Sequence, residues 1–175
     1  MLVRDKQTFL NCAGVCHQGL AKLHYHLNTN YYRLCREWQY KDIEPRIFAE
    51  ELLDPIDDQL RDYKFHIMND KLSHIDVISD RLTSQAEIAL DANWNKLPFD
   101  YLKQAKQIPP RPDNLEDMTE VALKLARGLD YVRVDLYTMG NRIFAGELTL
   151  TPAGGTDRFN PPEWDEILGR LWVKS

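Results

Sequence analysis

The fold is decided by residues 131–151, which read YVRVDLYTMGNRIFAGELTLT. Apolar and polar side chains alternate on both sides of a turn at Met139-Gly140-Asn141, which is typical of an antiparallel hairpin with one buried face. In each strand the even-numbered residues are apolar and the odd-numbered residues carry the polar groups. The apolar sets are Val132, Val134 and Leu136 in the first strand, then Phe144, Leu148 and Leu150 in the second.

The polar side of this hairpin gathers charged groups. Both apolar sets face one core only if the loop holds an odd number of residues, and the three-residue loop 139–141 meets that condition. This register predicts that Arg133 lies directly across from Glu147, with Asp135 diagonally beside it. The patch has two interpretations: an incidental cross-strand ion pair, or a site whose carboxylates hold Mg²⁺ while the arginine stabilises phosphoryl charge. The small-residue turn 151–156 that follows favours the second, because its backbone amides can approach an anion.

Two helices are predicted from apolar residues spaced three and four apart. The first is one long amphipathic helix over residues 17–38. The second runs over residues 115–127, where Asn114 can cap its start and Gly128 can supply the residue after its end.

The remaining elements are extended. Residues 46–53 look like a strand leading into a turn, and two further strands are predicted near 62–68 and 72–79, joined by a hairpin turn at 69–71. Residues 83–112 show little periodicity and contain four prolines, so they predict an extended excursion over the surface.

Composition excludes several classes of protein. The net charge of -5 and the absence of a basic run argue against nucleic acid as a partner. No stretch is apolar for long enough to span a membrane, and the first residues do not read as a signal peptide. The three cysteines, Cys12, Cys16 and Cys35, fit reduced thiols in a cytoplasm. Cys12 and Cys16 lie near three histidines, but their spacing matches no common zinc site.

The hairpin resembles the last two core strands of ATP-grasp ligases, through Arg-Val-Asp-Leu-Tyr at 133–137 and Gly-Glu-Leu-Thr-Leu-Thr-Pro-Ala-Gly-Gly at 146–155. The resemblance sharpens to the TupA-like ATP-grasp family, implicated in bacterial cell-surface polysaccharide and teichuronopeptide synthesis. The further stretches that carry it are residues 36–40, 45–47, 62–65, 79–81, 91–98, 156–159 and 162–165.

This resemblance implies an α+β fold, the C-terminal part of an ATP-grasp fold, with a mainly antiparallel sheet flanked by helices. Residues 1–175 would form a single domain that is incomplete at its N-terminus, with residues 1–16 as a remnant strand and lead-in. Nothing before residue 17 matches the glycine-rich flap of the earlier ATP-grasp lobe.

The resemblance also implies roles for hairpin residues. Asp135 and Glu147 would be the magnesium ligands, and Arg133, as the catalytic residue, would contact phosphate or the tetrahedral intermediate. Thr149 stands where the superfamily usually has asparagine, a third metal ligand, so the metal site departs from the usual pattern there. Gly154 and Gly155 would bind the substrate.

Upstream positions take nucleotide roles by the same resemblance. Glu50 or Glu51, together with Leu53, would pair with the adenine ring through the hinge backbone. Asp62 would hydrogen-bond the ribose hydroxyls, and Lys64 would reach a phosphate or the acceptor.

The implied function is ATP- and Mg²⁺-dependent ligation of a carboxylate to an amine in the bacterial cytoplasm, on a small molecule or glycan precursor. Arg81 would bind an anionic substrate. One alternative is a truncated, non-catalytic remnant or subunit, for which a partner chain or a second copy supplies the missing lobe. A carbohydrate-binding module would rely on Trp94 and Trp164, although lone aromatic residues more often belong to a core.

Overall fold

A computed structural model of the protein describes residues 17–47, 61–79, 86–100 and 107–172. The chain divides into two compact units, residues 1–52 and residues 53–175. In the part of the chain that is described, no helix has the length and apolar character needed to cross a membrane.

The first unit contains two short helices where the sequence predicts one long helix over residues 17–38. Helix α1 covers His17–Leu27 and α2 covers Tyr31–Cys35, followed by a 3₁₀ turn at Trp38–Tyr40. The prediction is wrong because Asn28 and Thr29 turn their side chains back onto carbonyls of α1, with donor–acceptor distances of 2.7 and 2.6 Å. Such side chains compete with helix continuation.

The second unit is built on a five-stranded antiparallel sheet. Its strands are β1 (Asp62–Met68), β2 (Lys71–Ser79), β3 (Ala86–Leu90), β4 (Tyr131–Met139) and β5 (Arg142–Thr149). The order across the sheet is β3-β2-β1-β4-β5. The predicted β1–β2 hairpin is confirmed, and Asn69 and Asp70 form its turn with φ values of 50° and 61°. Left-handed residues at both central positions suit the twist of a two-residue hairpin.

Strand β3 lies inside the segment 83–112 that the sequence predicts as an extended surface excursion. Five residues are too few for alternation to stand out, yet Ile88 and Leu90 are buried in the core. The chain after β3 is also anchored to the fold: Trp94 is buried, and its Nε1 donates to the Pro109 carbonyl at 2.8 Å. Trp94 is thus a core residue, not part of an open carbohydrate-binding surface.

One face of the sheet carries the main hydrophobic core. The predicted second helix is confirmed as α3 (Leu115–Leu125), and its Leu115, Met118 and Ala122 pack on this face. Asn114 precedes α3 but makes no side-chain capping bond; its Nδ2 instead donates to Thr138 Oγ1 at 2.9 Å. The buried strand residues of this core are Tyr63, Phe65, Ile67, Ile75, Val77, Ile88, Leu90, Val132, Val134 and Leu136.

The β4–β5 hairpin differs from its predicted register. The turn contains two residues, Gly140 and Asn141, and a β-bulge at Gly146 adds the residue that brings polar groups back to one side. Asp135 therefore lies opposite Glu147, where the sequence predicts Arg133.

Two consequences follow from this two-residue turn and bulge. Arg133 pairs with Thr149, not with Glu147. Phe144, predicted in the core set, pairs with Tyr137 on the opposite face, and Ile143 packs against the core in its place.

The second face of the sheet is partly covered at one end. Helix α4 (Glu163–Trp172) contributes Leu168 to a smaller core with Phe99, and Phe159 and Trp164 pack against it. This packing buries part of the charged face of the sheet. The α+β class predicted from the sequence, a mainly antiparallel sheet with flanking helices, is confirmed.

Candidate functional site

The polar face of the sheet, opposite α3, collects titratable side chains from four strands. Side chains alternate between the two faces along each strand. In this register, even-numbered residues of β1 and β2 lie on the same face as their odd-numbered partners in β4 and β5. Most of these side chains are buried even though they are polar or charged. The polar face is formed by Asp62, Lys64, His66, His74, Asp76, Arg133, Asp135, Glu147 and Thr149.

Asp135 is the centre of an ion-pair cluster. Arg133 donates to it twice, from Nε to Oδ1 at 2.7 Å and from Nη2 to Oδ2 at 2.9 Å. Lys64, its cross-strand partner in β1, donates from Nζ to Oδ2 at 2.5 Å. The same ammonium lies 3.1 Å from Asp62 Oδ2, so it bridges two buried carboxylates.

The cluster extends across the bulge to β5. Nη2 of Arg133 donates to Thr149 Oγ1 at 3.0 Å and lies 3.7 Å from Glu147 Oε2. Burial by itself would lower the pKa of Arg133, but the charge and hydrogen bonds of Asp135, helped by Glu147, raise it above its ordinary value. The guanidinium is therefore a permanent cation held at a fixed place.

Negative charge exceeds positive charge among the nine side chains named above. They include two permanent cations, Lys64 and Arg133, against four carboxylates. Those carboxylates are Asp62, Asp76, Asp135 and Glu147. A concentration of carboxylate oxygens with surplus negative charge is the donor set that a hard divalent cation prefers, so these residues fit Mg²⁺.

Glu87 of β3 adds another carboxyl group to this face. It pairs with Ile78, which in turn pairs with Asp62. Burial, followed by the charge of Asp76, raises the pKa of Glu87 to about 7, although Lys64 and Arg133 act to lower it.

A second cluster, the histidine pair with Asp76, was not identified from the sequence. His66 Nε2 lies 2.8 Å from Asp76 Oδ2, and His66 Nδ1 lies 2.9 Å from the Tyr131 hydroxyl. His74 stacks on His66, with ring centroids 4.0 Å apart, and its Nε2 lies 3.8 Å from Asp76 Oδ1. The sequence does contain one sign of this cluster. His66, His74 and Asp76 all have even numbers and lie on either side of the Asn69–Asp70 turn, so alternation along the strands places them on one face.

Both histidines are neutral at physiological pH. Burial lowers the pKa of His66 to about 3, and Arg133 and Lys64 add to the effect. Burial also lowers the pKa of His74 to about 3, with the neighbouring His66 contributing. Because the Asp76 carboxylate can only accept, neutral His66 carries its proton on Nε2 and accepts the Tyr131 hydroxyl at Nδ1.

His66, His74 and Asp76 each offer one possible ligand atom, and these three atoms lie within 4.8 Å of one another, close enough to bind one metal ion. The two imidazole planes, however, are inclined by only 14°. An imidazole lone pair lies in the plane of its ring, so stacked rings do not direct two lone pairs at one ion. The arrangement fits a hydrogen-bonded network around the Asp76 carboxylate.

The small-residue turn after β5 has an uncommon backbone. Residues 152–155 form a 3₁₀ turn in which Ala153, Gly154 and Gly155 have φ values of 47°, 64° and 73°. Three successive left-handed residues favour glycine, and here one of them is alanine. All three residues are exposed, and the substrate-binding role of Gly154 and Gly155 stays a prediction.

The structure thus brings five of the predicted site residues into one contact cluster: Asp62, Lys64, Arg133, Asp135 and Thr149, with Glu147 at its edge. The predicted adenine-binding residues Glu50, Glu51 and Leu53 lie outside the described residues, as do Arg81 and the cysteines Cys12 and Cys16. The roles of all these residues stay predictions.

The described part of the second unit is thus an α+β arrangement with an antiparallel sheet, one apolar face under a helix and a carboxylate-rich opposite face. The family model described as TupA-like ATPgrasp matches residues 3–173, so the chain belongs to the TupA-like ATP-grasp family. Membership suggests an ATP-grasp-type ligase and implies a nucleotide substrate. No curated protein and no solved structure matches the chain.

Proposed function

We propose that the protein is an ATP- and Mg²⁺-dependent ligase that joins a carboxylate to an amine through an acyl phosphate. Its place would be the bacterial cytoplasm, in the assembly of a cell-surface polysaccharide from a glycan precursor. The observation that carries the proposal is the buried cluster around Asp135, in a chain that belongs to the ATP-grasp family. ATP-grasp enzymes generally use ATP and Mg²⁺, which makes an acidic face with a fixed arginine a suitable reaction site.

Asp135 and Glu147 would hold the metal ion, since they are direct cross-strand partners on β4 and β5. Thr149, which also lies on this face, would supply a hydroxyl or hold a ligating water. When bound, the ion would neutralise phosphate oxygens and help orient the transferred phosphoryl group.

Arg133 would stabilise the negative charge that develops as the phosphoryl group moves to the acceptor carboxylate. Its guanidinium is fixed at three points, two on Asp135 and one on Thr149. A cation that is already oriented needs little reorganisation during the reaction, and such preorganised charge is usually a large term in catalysis. Lys64, on the neighbouring strand, would add a second cation that binds a phosphate.

The test is isothermal titration of Mg-ATP into the purified chain. The Asp135→Asn/Glu147→Gln double variant should bind at least about tenfold more weakly, a loss of about 1.4 kcal/mol. The matched control is Asp117→Asn/Glu163→Gln, which removes the same charge from exposed helix positions and should bind as the wild type does.

Two results would contradict the proposal. Equal binding by the double variant would place the nucleotide elsewhere. A folded wild type that binds no Mg-ATP would favour the alternative, a non-catalytic subunit that requires a partner lobe.

A further inference from the structure

Lys64 occupies a position between carboxylates where a bound cation would also be stable. Its Nζ lies 2.5 Å from Asp135 Oδ2 and 3.1 Å from Asp62 Oδ2, and only 10% of its side chain is exposed. A buried carboxylate without a counter-ion is strongly unfavourable, so the ammonium stabilises both acids in the metal-free protein. The protein thereby carries an internal cation at the edge of its proposed metal site.

The hydrogen bonds of Asp135 leave little room for another cation. A carboxylate offers about four lone-pair positions. Lys64 and Arg133 both donate to Oδ2, and Arg133 also donates to Oδ1. A divalent ion bound directly to Asp135 therefore takes the last position or displaces one of these donors, and it repels any cation that remains within a few ångströms.

Of the two donors, Lys64 is the one that can leave. Arg133 is a planar fork held by three hydrogen bonds, two of them parallel bonds to Asp135. Lys64 is a point charge on a flexible four-carbon stem, and rotation of that stem moves the ammonium without moving β1.

We propose that Lys64 is the counter-cation of the metal-free site and that a divalent cation displaces it from Asp135. The released ammonium then becomes available to bind an anionic phosphate. This inference rests on the proposed function, because it requires that Asp135 is a metal ligand. It gives Lys64 a positioning role before the nucleotide binds, in addition to its proposed phosphate contact.

The first test measures Mn²⁺ binding without nucleotide, from the electron paramagnetic resonance signal of free Mn²⁺. Lys64→Gln removes the competing ammonium and should tighten Mn²⁺ binding by about tenfold. The control is Lys96→Gln, since Lys96 lies 3.7 Å from Asp100 in a half-exposed ion pair and should leave Mn²⁺ affinity unchanged. If the folded Lys64→Gln variant binds Mn²⁺ with an affinity equal to or weaker than that of the wild type, the proposed displacement of Lys64 by a divalent cation is wrong.

The second test uses only the wild-type chain, so it does not depend on how a variant folds. Lysines are labelled with an amine-reactive reagent with and without saturating Mn²⁺, and each site is quantified by mass spectrometry. Labelling of Lys64 should rise severalfold with Mn²⁺, while Lys124, exposed on α3, should be labelled equally in both. Unchanged protection of Lys64 at saturating Mn²⁺ refutes its release.

Asp135→Asn separates the failure of this inference from the failure of the proposed function. If wild-type binding depends on Asp135 but neither test shows displacement of Lys64, the metal site stands and the exchange is wrong. If Mn²⁺ binding is absent, or is the same in Asp135→Asn, both the metal assignment and the exchange are wrong.

Discussion

Two buried histidines and one half-buried glutamate make the stability of the sheet depend on pH in a way that single substitutions can resolve. His66 and His74 have pKa values near 3 in the folded protein against an ordinary value of 6.5. Glu87 has a pKa near 7 against an ordinary value of 4.5. Between pH 5 and 6 the histidines bind protons only when the chain unfolds, whereas Glu87 binds its proton only when the chain is folded.

The signs follow from proton linkage. Stabilisation from each neutral histidine is complete above pH 6.5 and is lost as the pH falls, so each adds about 1.4 kcal/mol per pH unit to the slope of the unfolding free energy. Stabilisation from protonated Glu87 is lost as the pH rises towards 7, so it subtracts about the same amount. Two histidines and one glutamate give the wild type a net slope of about +1.4 kcal/mol per pH unit.

The assay is urea unfolding at pH 5.0, 5.5 and 6.0, followed by near-UV circular dichroism. His74→Gln should reduce the slope to about zero, and Glu87→Gln should increase it to about 2.7 kcal/mol per pH unit. The slope is the readout because it reports protons, whereas the absolute stability of each variant also contains packing changes.

His24→Gln is the matched control for the removal of a histidine, because His24 is exposed on α1. A wild-type slope near zero combined with no effect of Glu87→Gln would refute the reasoning. It would mean that the histidines and Glu87 are hydrated in the folded state and titrate as they do in the unfolded chain.

Three further substitutions test the hairpins and the proposed metal site. Gly146→Ala puts a Cβ 2.6 Å from the Tyr137 ring and should cost about 1–3 kcal/mol in urea unfolding. Its control, Gly169→Ala in α4, meets nothing within 4 Å and should gain up to about 1 kcal/mol. Asp70→Gly, at a turn residue with φ of 61°, should raise the unfolding free energy by about 1 kcal/mol, and a loss would contradict the left-handed turn. Thr149→Asn should tighten Mn²⁺ binding severalfold, and an unchanged Kd would argue against a metal ligand at Thr149.

Much of the fold follows from local patterns in the sequence. The β1–β2 hairpin and α3 could be predicted because their alternation or helical spacing extends over seven or more residues. Strand β3 could not, because its five residues are held by pairing with β2, which is not a local property. The prediction of one long helix over residues 17–38 was wrong because three polar residues, 28–30, interrupt the helix, although the apolar spacing continues past them.

In the site, too, local sequence patterns predicted some features and non-local pairing determined the others. Alternation alone predicted that Arg133, Asp135 and Glu147 share one face, and they do. The exact partners depend on the bulge at Gly146, and a glycine inside a strand can mark a bulge but does not by itself specify the register. The involvement of Lys64 depends on which strand lies beside β4, which is set by the order of the whole sheet.

The number of buried charges on the polar face favours a functional role for them. The sheet can bury apolar residues well, as its opposite face does under α3, and a similar apolar layer often matches or exceeds the stability of buried ion pairs. Here Asp62, Lys64 and Asp135 are all at most 8% exposed, so each loses solvation that only its partners replace. Because the acids among the nine named side chains outnumber the permanent cations, we expect an added cation to stabilise this arrangement. Removing Lys64 should therefore destabilise the metal-free protein while strengthening its hold on a divalent ion, and a purely structural ion pair would show only the first effect.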